Sequence, residues 1–399
     1  MNALMIPPPT VQPGPPPNRH AISCIAGFAL AGLIGLGTAK AEVRLERTPN
    51  SGIQPQAARD DAGTLHLVYF EGDARAGDLR YVTRPAGAAS FTAPRPVNAT
   101  PSSAVAVGTI RGAQIALGPE SQVHVLWNGS QKVTSGDPAS TPLLYTRLLP
   151  DREGFEPERN LITHAAGLDG GSSVAADQQG GVYVLWHAPG ALPGEAHRQV
   201  FLARSTDGGR TFAREVPISP AASGACGCCG LKALADDHGP LYVLFRAAQN
   251  GSHRDAMLLV SQGGEHAFKV LWTDPWESFT CPMSSAGLAQ VRNGIVACWE
   301  TQRQVFFRTV ALRSNKLGSV HSPPGEGSRK HPVAVNNFRG ETLLAWTEGT
   351  GWEKGGRVAW QVFDSEGNPM PEAGSKDGVP VWGLITAVAE SDGDFTLIY

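Results

Sequence analysis

The chain has 399 residues, 41% of them hydrophobic and 17% charged, with a formal net charge of -3. No basic stripe or run of Lys and Arg appears, which argues against nucleic acid as a partner. Its 47 glycines and 31 prolines suit a fold of short strands joined by many tight turns.

Residues 1–18 are Pro-rich and uncharged, and Arg19 and His20 then precede an uncharged stretch, residues 21–38. Ala39-Lys40-Ala41 fits a small-x-small cleavage site. Residues 1–41 are therefore expected to be a signal peptide with a Pro-rich lead, and Glu42 the first mature residue. The alternative is an uncleaved membrane anchor, because the stretch is almost long enough to span. Export implies a periplasmic or secreted protein, with no membrane attachment after cleavage. It removes Cys24 and leaves Cys226, Cys228, Cys229, Cys281 and Cys298 where disulfides are permitted.

From residue 54 onward a hairpin recurs. Apolar runs at 65–69, 123–127, 182–186, 241–245, 295–299, 343–346 and 395–399 each end in an aromatic residue. The aromatics are Tyr69, Trp127, Trp186, Phe245, Trp299, Trp346 and Tyr399, about 47 to 59 residues apart, the period of a sheet-per-repeat array. A strand of small residues precedes each run, as at 55–59, 112–116 and 172–176, and a third strand follows, as at 78–82 and 199–203. Small residues suit the crowded innermost strand of a radial sheet, and Val, Leu and Trp suit the strand packed between neighbours. The pattern predicts an all-β fold: a β-propeller of four-stranded antiparallel blades forming a single domain over 42–399. Seven hairpins give seven blades, or six if the last hairpin joins a neighbouring sheet. Residues 43–48 offer a strand to complete the last blade.

In such a fold the ends of the second strands and the starts of the first strands gather around one mouth. The second-strand ends bring Glu71, Asn128, His187, Arg246, Glu300 and Glu348 there. The first-strand starts bring Gln54, Arg111, Cys229, Ser284, His331 and Trp382. Mouths of this kind are preferred ligand sites, though loops are polar in any case. Cys226, Cys228, Cys229 and Cys281 fall at or before adjacent first strands, on the same face. Two readings stay open for them. One is a pair of disulfides tying neighbouring blades. The other is a soft-metal site for Cu or Zn, assisted by His187 and His253. Cys298 lies inside a strand and reads as a buried small hydrophobe.

Ser205-Thr206-Asp207-Gly208-Gly209-Arg210-Thr211-Phe212 matches the Asp-box pattern, Ser-x-Asp-x-Gly-x-Thr-aromatic. It resembles the sialidase-like, or bacterial-neuraminidase-repeat, propeller superfamily. Cys226-Gly227-Cys228-Cys229, with Arg246, Arg254-Asp255 and Cys281-Pro282, is similar to a subset of that superfamily bearing a Cys-x-Cys-Cys element. The resemblance implies that the box marks the fold on the face away from the active site. It also implies a glycan or other small ligand at the mouth and, if an enzyme, a glycoside hydrolase of exo-sialidase type. Arg111, Arg246, Arg254 and Arg303 would then clamp a carboxylate, with Glu300 and Glu348 as the catalytic carboxylates. Asn128, His187 and Asp255 would be further substrate contacts. The sequence departs from that pattern in two respects. No tyrosine stands out as a nucleophile, and Thr109-Ile110-Arg111-Gly112 replaces the expected Phe/Tyr-Arg-Ile-Pro. The alternative is an exported, non-catalytic protein whose cysteine cluster, disulfide- or metal-bearing, serves binding or a protein partner. No cofactor is required, and the cysteine cluster offers a site for Cu or Zn.

Overall fold

A computed structural model describes residues 40–399 apart from 109, 135–139, 238 and 263–266, together with 9, 10 and 12–14. The expected leader falls almost wholly outside the described residues, as does Thr109. Seven sheets follow one another along the chain, and their strands are lettered A to D from the axis outward. Blade 1 is Ile53–Arg59, Leu65–Asp73, Ala76–Arg84 and Arg95–Pro96. Blade 2 is Gln114–Leu117, Val123–Asn128, Leu143–Arg147 and Arg159–Asn160. Blade 3 is Ser172–Ala176, Val182–Ala188, Gln199–Ser205 and Val216–Pro217. Blade 4 is Lys232–Ala235, Leu241–Arg246, Ala256–Ser261 and Phe268–Asp274. Blade 5 has Gly287–Val291, Gly294–Thr301 and Gln304–Ala311, with isolated bridges at Leu317 and His321 in place of a regular fourth strand. Blade 6 is Arg329–Asn336, Thr342–Glu348, Gly356–Phe363 and Pro369–Val379. Blade 7 pairs Thr386–Ala389 with Phe395–Ile398. The fold is the expected seven-bladed propeller.

The ring closes through the N-terminal strand Val43–Glu46, which lies parallel to Phe395–Ile398 with Val43 opposite Phe395. Blade 7 thus draws its third strand from the other end of the chain, the completion expected for residues 43–48. This one pairing is parallel, whereas the others are antiparallel. Salt bridges from Arg44 to Asp392 (2.8 Å) and Asp394 (2.6 Å) flank the seam.

The B strands carry apolar residues on both faces because a neighbouring blade covers each face. The core is consequently divided among the blade interfaces. Val68 and Trp127 share one cluster, Trp186 and Tyr145 the next, and Leu185 and Phe245 the next. The succession continues around the ring to Tyr69 and Ile398, between blades 7 and 1. His66 and His124, predicted to pack or face solvent, are buried and bond the hydroxyls of Tyr81 (2.6 Å) and Tyr145 (2.7 Å). Between strands C and D of blade 3, Asp207 accepts from the Thr211 backbone N–H (2.9 Å) and hydroxyl (2.7 Å). Gly208 and Gly209 take φ of 69° and 77° there, and Phe212 packs edge-on against Tyr145. The turn is a hydrogen-bonded cap that also accepts from Arg147 and Arg159 of blade 2.

Candidate functional site

The loops leading into the A strands of blades 4 and 5 meet at the mouth. They bring Cys226, Cys228, Cys229 and Cys281 together, with all four Sγ atoms within 4.8 Å of one another. Glycine makes the approach possible. A Cβ at Gly170 would lie 2.4 Å from Gly227 O, and one at Gly171 would lie 2.6 Å from Gly230 Cα. The Gly-Gly pair ahead of blade 3 therefore lets the cysteine loop lie directly on the neighbouring backbone. Gly171→Ala should force that loop outward and cost about 1–3 kcal/mol by overpacking, read by chemical denaturation.

Cys228 and Cys281 form a disulfide between the two loops, while Cys226, Cys229 and Cys298 are free thiols. One bridge is present where the structural reading of the cluster expected two. Cys226 Sγ lies 3.5 Å from Cys228 Sγ and 3.7 Å from Cys281 Sγ. Cys281 is exposed, and Cys226 and Cys229 are buried beneath the disulfide. Cys298 is fully buried within the B strand of blade 5, as predicted.

Several bonds hold the loop still. Cys226 N–H donates to Arg246 O (2.9 Å), Gly227 N–H to Glu195 Oε1 (2.9 Å) and Gly230 N–H to Ser284 O (2.9 Å). His187 Nε2 donates to Cys229 O at 2.8 Å. The carbonyl can only accept, so the proton sits on Nε2, and burial lowers the ring's pKa to about 4. His187 thus supports the loop, and the compact ligand group consists of the four sulfurs without His187 or His253.

The thiols are electrostatically unequal. The hydrogen bond that Cys226 donates to Cys229, together with burial, pushes the Cys226 thiol up. Burial also opposes ionisation of Cys229, but the bond to Cys226 and the Arg246 guanidinium outweigh it and hold Cys229 down. Arg246 donates to Arg254 O (2.6 Å) and to Glu300 O, and stands over the Trp276 ring at 5.0 Å. Arg254 pairs with Glu195 at 2.8 Å, and Asp255 accepts from Trp276 N–H at 2.9 Å. Glu300 is only 1% exposed. Burial pushes its carboxyl up to about 7 against the opposing pull of Lys330 and Arg246, and its Oε2 has no partner among the described residues.

The polar ring at the mouth is largely spent on joining blades. Asn128 Nδ2 donates to Gly170 O (2.7 Å), His187 to Cys229 O, and Arg246 to Glu300 O. Gln54 donates to Ala106 O (2.8 Å) and Trp382 O (2.9 Å). Each bond leaves one blade for the main chain of another, satisfying carbonyls that would otherwise be buried unpaired. Glu348 accepts from Trp346 Nε1 and Arg357 Nε, both at 2.9 Å. Arg111 pairs with Asp169 at 2.7 Å, and exposed Arg303 rests beside Ser328 Oγ at 3.4 Å. The four candidate arginines are thus engaged by the chain itself. The hydroxyls of Tyr81, Tyr145, Tyr183 and Tyr242 bond His66, His124, Asp177 and Asn315. Tyr69 and Tyr399 are buried between blades.

Sequence reasoning passed over Glu195, Lys330 and the Gly170-Gly171 pair, all of which shape the cluster. The available signal was the glycine pair, placed one blade before the Cys-Gly-Cys-Cys run.

No protein-family model matches the chain, and no curated protein matches it. Solved structures do resemble it. A protein of unknown function from Dyadobacter fermentans is 11% identical, with a TM-score of 0.54, covering 81% of this chain and 97% of that one. A Hadza microbial sialidase is 17% identical over 82% of this chain and 74% of its own, with a TM-score of 0.48. An α-L-arabinofuranosidase from Fusarium graminearum is 11% identical over 78% and 94%, also at 0.48. The likeness is one of fold, and fold leaves function to the site. No helix among the described residues is long and apolar enough to cross a membrane.

Proposed function

We propose that this is an exported propeller whose function resides in a thiolate centre. With Cys228–Cys281 reduced, Cys226, Cys228, Cys229 and Cys281 bind one soft d10 ion, Cu(I) or Zn(II). The observation that carries the reading is the gathering of four sulfurs within 4.8 Å from two blades. A tetrahedral S4 site with metal–sulfur bonds of about 2.3 Å has sulfur–sulfur edges of about 3.8 Å. Cys226 already stands 3.5 and 3.7 Å from the two bridged sulfurs. Opening the bridge would let its own sulfurs separate to similar edges. Thiolates select these ions over harder ones, and Arg246 offsets part of the negative charge such a centre accumulates. Anaerobic reduction followed by metal titration tests the reading. One equivalent of Cu(I) or Zn(II) should be retained through desalting, and a reduced chain that retains neither would refute it.

A second reading, a glycan or similar small ligand at the mouth, is favoured by Trp352. That residue is 61% exposed and stacks edge-on against Trp382 at 4.8 Å. A Cβ at Gly108 would lie 3.9 Å from both the Trp352 ring and Arg111 Nε, so an aromatic ring and a guanidinium flank this glycine. Trp352→Ala should abolish binding to any oligosaccharide that wild type retains on a glycan array, with folding unchanged. Retained binding in the variant would place the ligand elsewhere.

A further inference from the structure

Lys232, at the start of the A strand of blade 4, lines the axial channel, where it is half-buried. Its Nζ donates to Gln114 Oε1 of blade 2 at 3.1 Å, so the side chain reaches past the A strand of blade 3. It lines both a cavity of about 160 Å³ on the mouth side and one of about 710 Å³ beyond it. Gln56, Gln114, Lys232 and Thr386 pair with Val68, Leu126, Leu244 and Ile398. Each of those partners immediately precedes the aromatic of its B strand, so the four side chains form one tier of the channel.

The tier contains a cation and no counter-charge. No carboxylate lines the smaller cavity. Among the described residues, Cys298 is the ionisable neighbour that acts on Lys232, and burial pushes that thiol up to about 12, which keeps it neutral. Burial lowers the lysine itself to about 8, so it remains largely protonated at pH 7. A charge in such a place is costly unless it is paired, and one neutral amide oxygen does not pair it. The neighbouring groups of the tier, two amides and a hydroxyl, can donate to an anion. The smaller cavity has room for several waters or for an ion of a few atoms.

We propose that the axial channel binds a small monoanion, a halide or short carboxylate, against Lys232 Nζ, with the amides and hydroxyl of the same tier as further donors. This site is separate from the thiolate centre and does not depend on it.

Bromide is the probe. Crystals of the full chain grown or soaked in sodium bromide should show an anomalous peak beside Lys232 Nζ. In solution, the thermal midpoint of wild type should rise with bromide at constant ionic strength, set with a sulfonate too bulky for the cavity. Lys232→Met keeps the length of the side chain and removes the charge. It should be at least as stable as wild type without bromide, because a half-buried charge with no counter-charge is gone, and should show no bromide response. Acetate in place of bromide should act similarly if the site accepts carboxylates, and a response to bromide alone would narrow it to halides. The proposal is overturned if bromide occupies other sites in wild-type crystals but not this one, or if Lys232→Met keeps the wild-type bromide response. The crystal result stands even where the variant does not fold.

Discussion

Replacing Cys229 with serine is expected to lower the affinity of the reduced protein for Cu(I) or Zn(II) by more than about 100-fold, the upper range for loss of a supporting residue around a metal. Serine is isosteric, so the loop bonds from Cys226 N–H to Arg246 O and from Gly230 N–H to Ser284 O remain. What disappears is one of four sulfur donors and the thiol whose ionisation the Cys226 hydrogen bond and the Arg246 guanidinium favour. Cys226→Ser should match it, whereas Cys298→Ser, inside blade 5, should leave affinity unchanged. Competition against a chelator of known affinity gives the ratio. Metal binding releases thiol protons, so wild-type affinity should also fall as pH is lowered. Equal affinity in Cys229→Ser and wild type would remove Cys229 from the centre.

Arg246→Ala is expected to destabilise the whole propeller. The buried guanidinium donates to Arg254 O within its own blade and to Glu300 O in the next. Its loss leaves two buried acceptors unpaired at about 1–3 kcal/mol each, or about 2–6 kcal/mol in total. Arg246→Lys should recover only part of this, because an ammonium on a flexible stem does not reproduce the planar fork that reaches both carbonyls. Equilibrium denaturation of the three proteins provides the comparison. Wild-type stability in the alanine variant would mean that Arg246 serves the mouth and not the blade interface.

The architecture could be read from the chain because each B strand repeats the same demand. Runs such as those ending in Trp127, Trp186 and Trp299 are apolar on both faces, and blades on both sides answer that. The closing strand was legible for a similar reason: the hairpin ending at Tyr399 lacks an outer partner, and residues 43–48 supply one. The convergence of the four cysteines also followed from topology, since loops before adjacent A strands must share a face.

Three features were not legible, each for a physical reason. The sequence does not say which sulfurs bond, because Cys226 and Cys228 are both within reach of Cys281 and the choice depends on fractions of an ångström. The polar residues after the B-strand aromatics looked like a ligand-binding ring. Asn128, His187 and Arg246 also tie blades together, because carbonyls at the blade junctions are buried and need donors. Glu300 follows the same register as those three residues, yet Arg246 bonds its backbone carbonyl and its carboxyl is buried. Composition does not reveal that enclosure, since the same residue on an open loop would be ionised and solvated.

X-ray absorption at the metal edge of the reduced, zinc-loaded chain tests the thiolate centre most directly. Four sulfur neighbours at about 2.3 Å, with no nitrogen or oxygen in the first shell, is the predicted result. A first shell dominated by nitrogen or oxygen would contradict a centre built from Cys226, Cys228, Cys229 and Cys281.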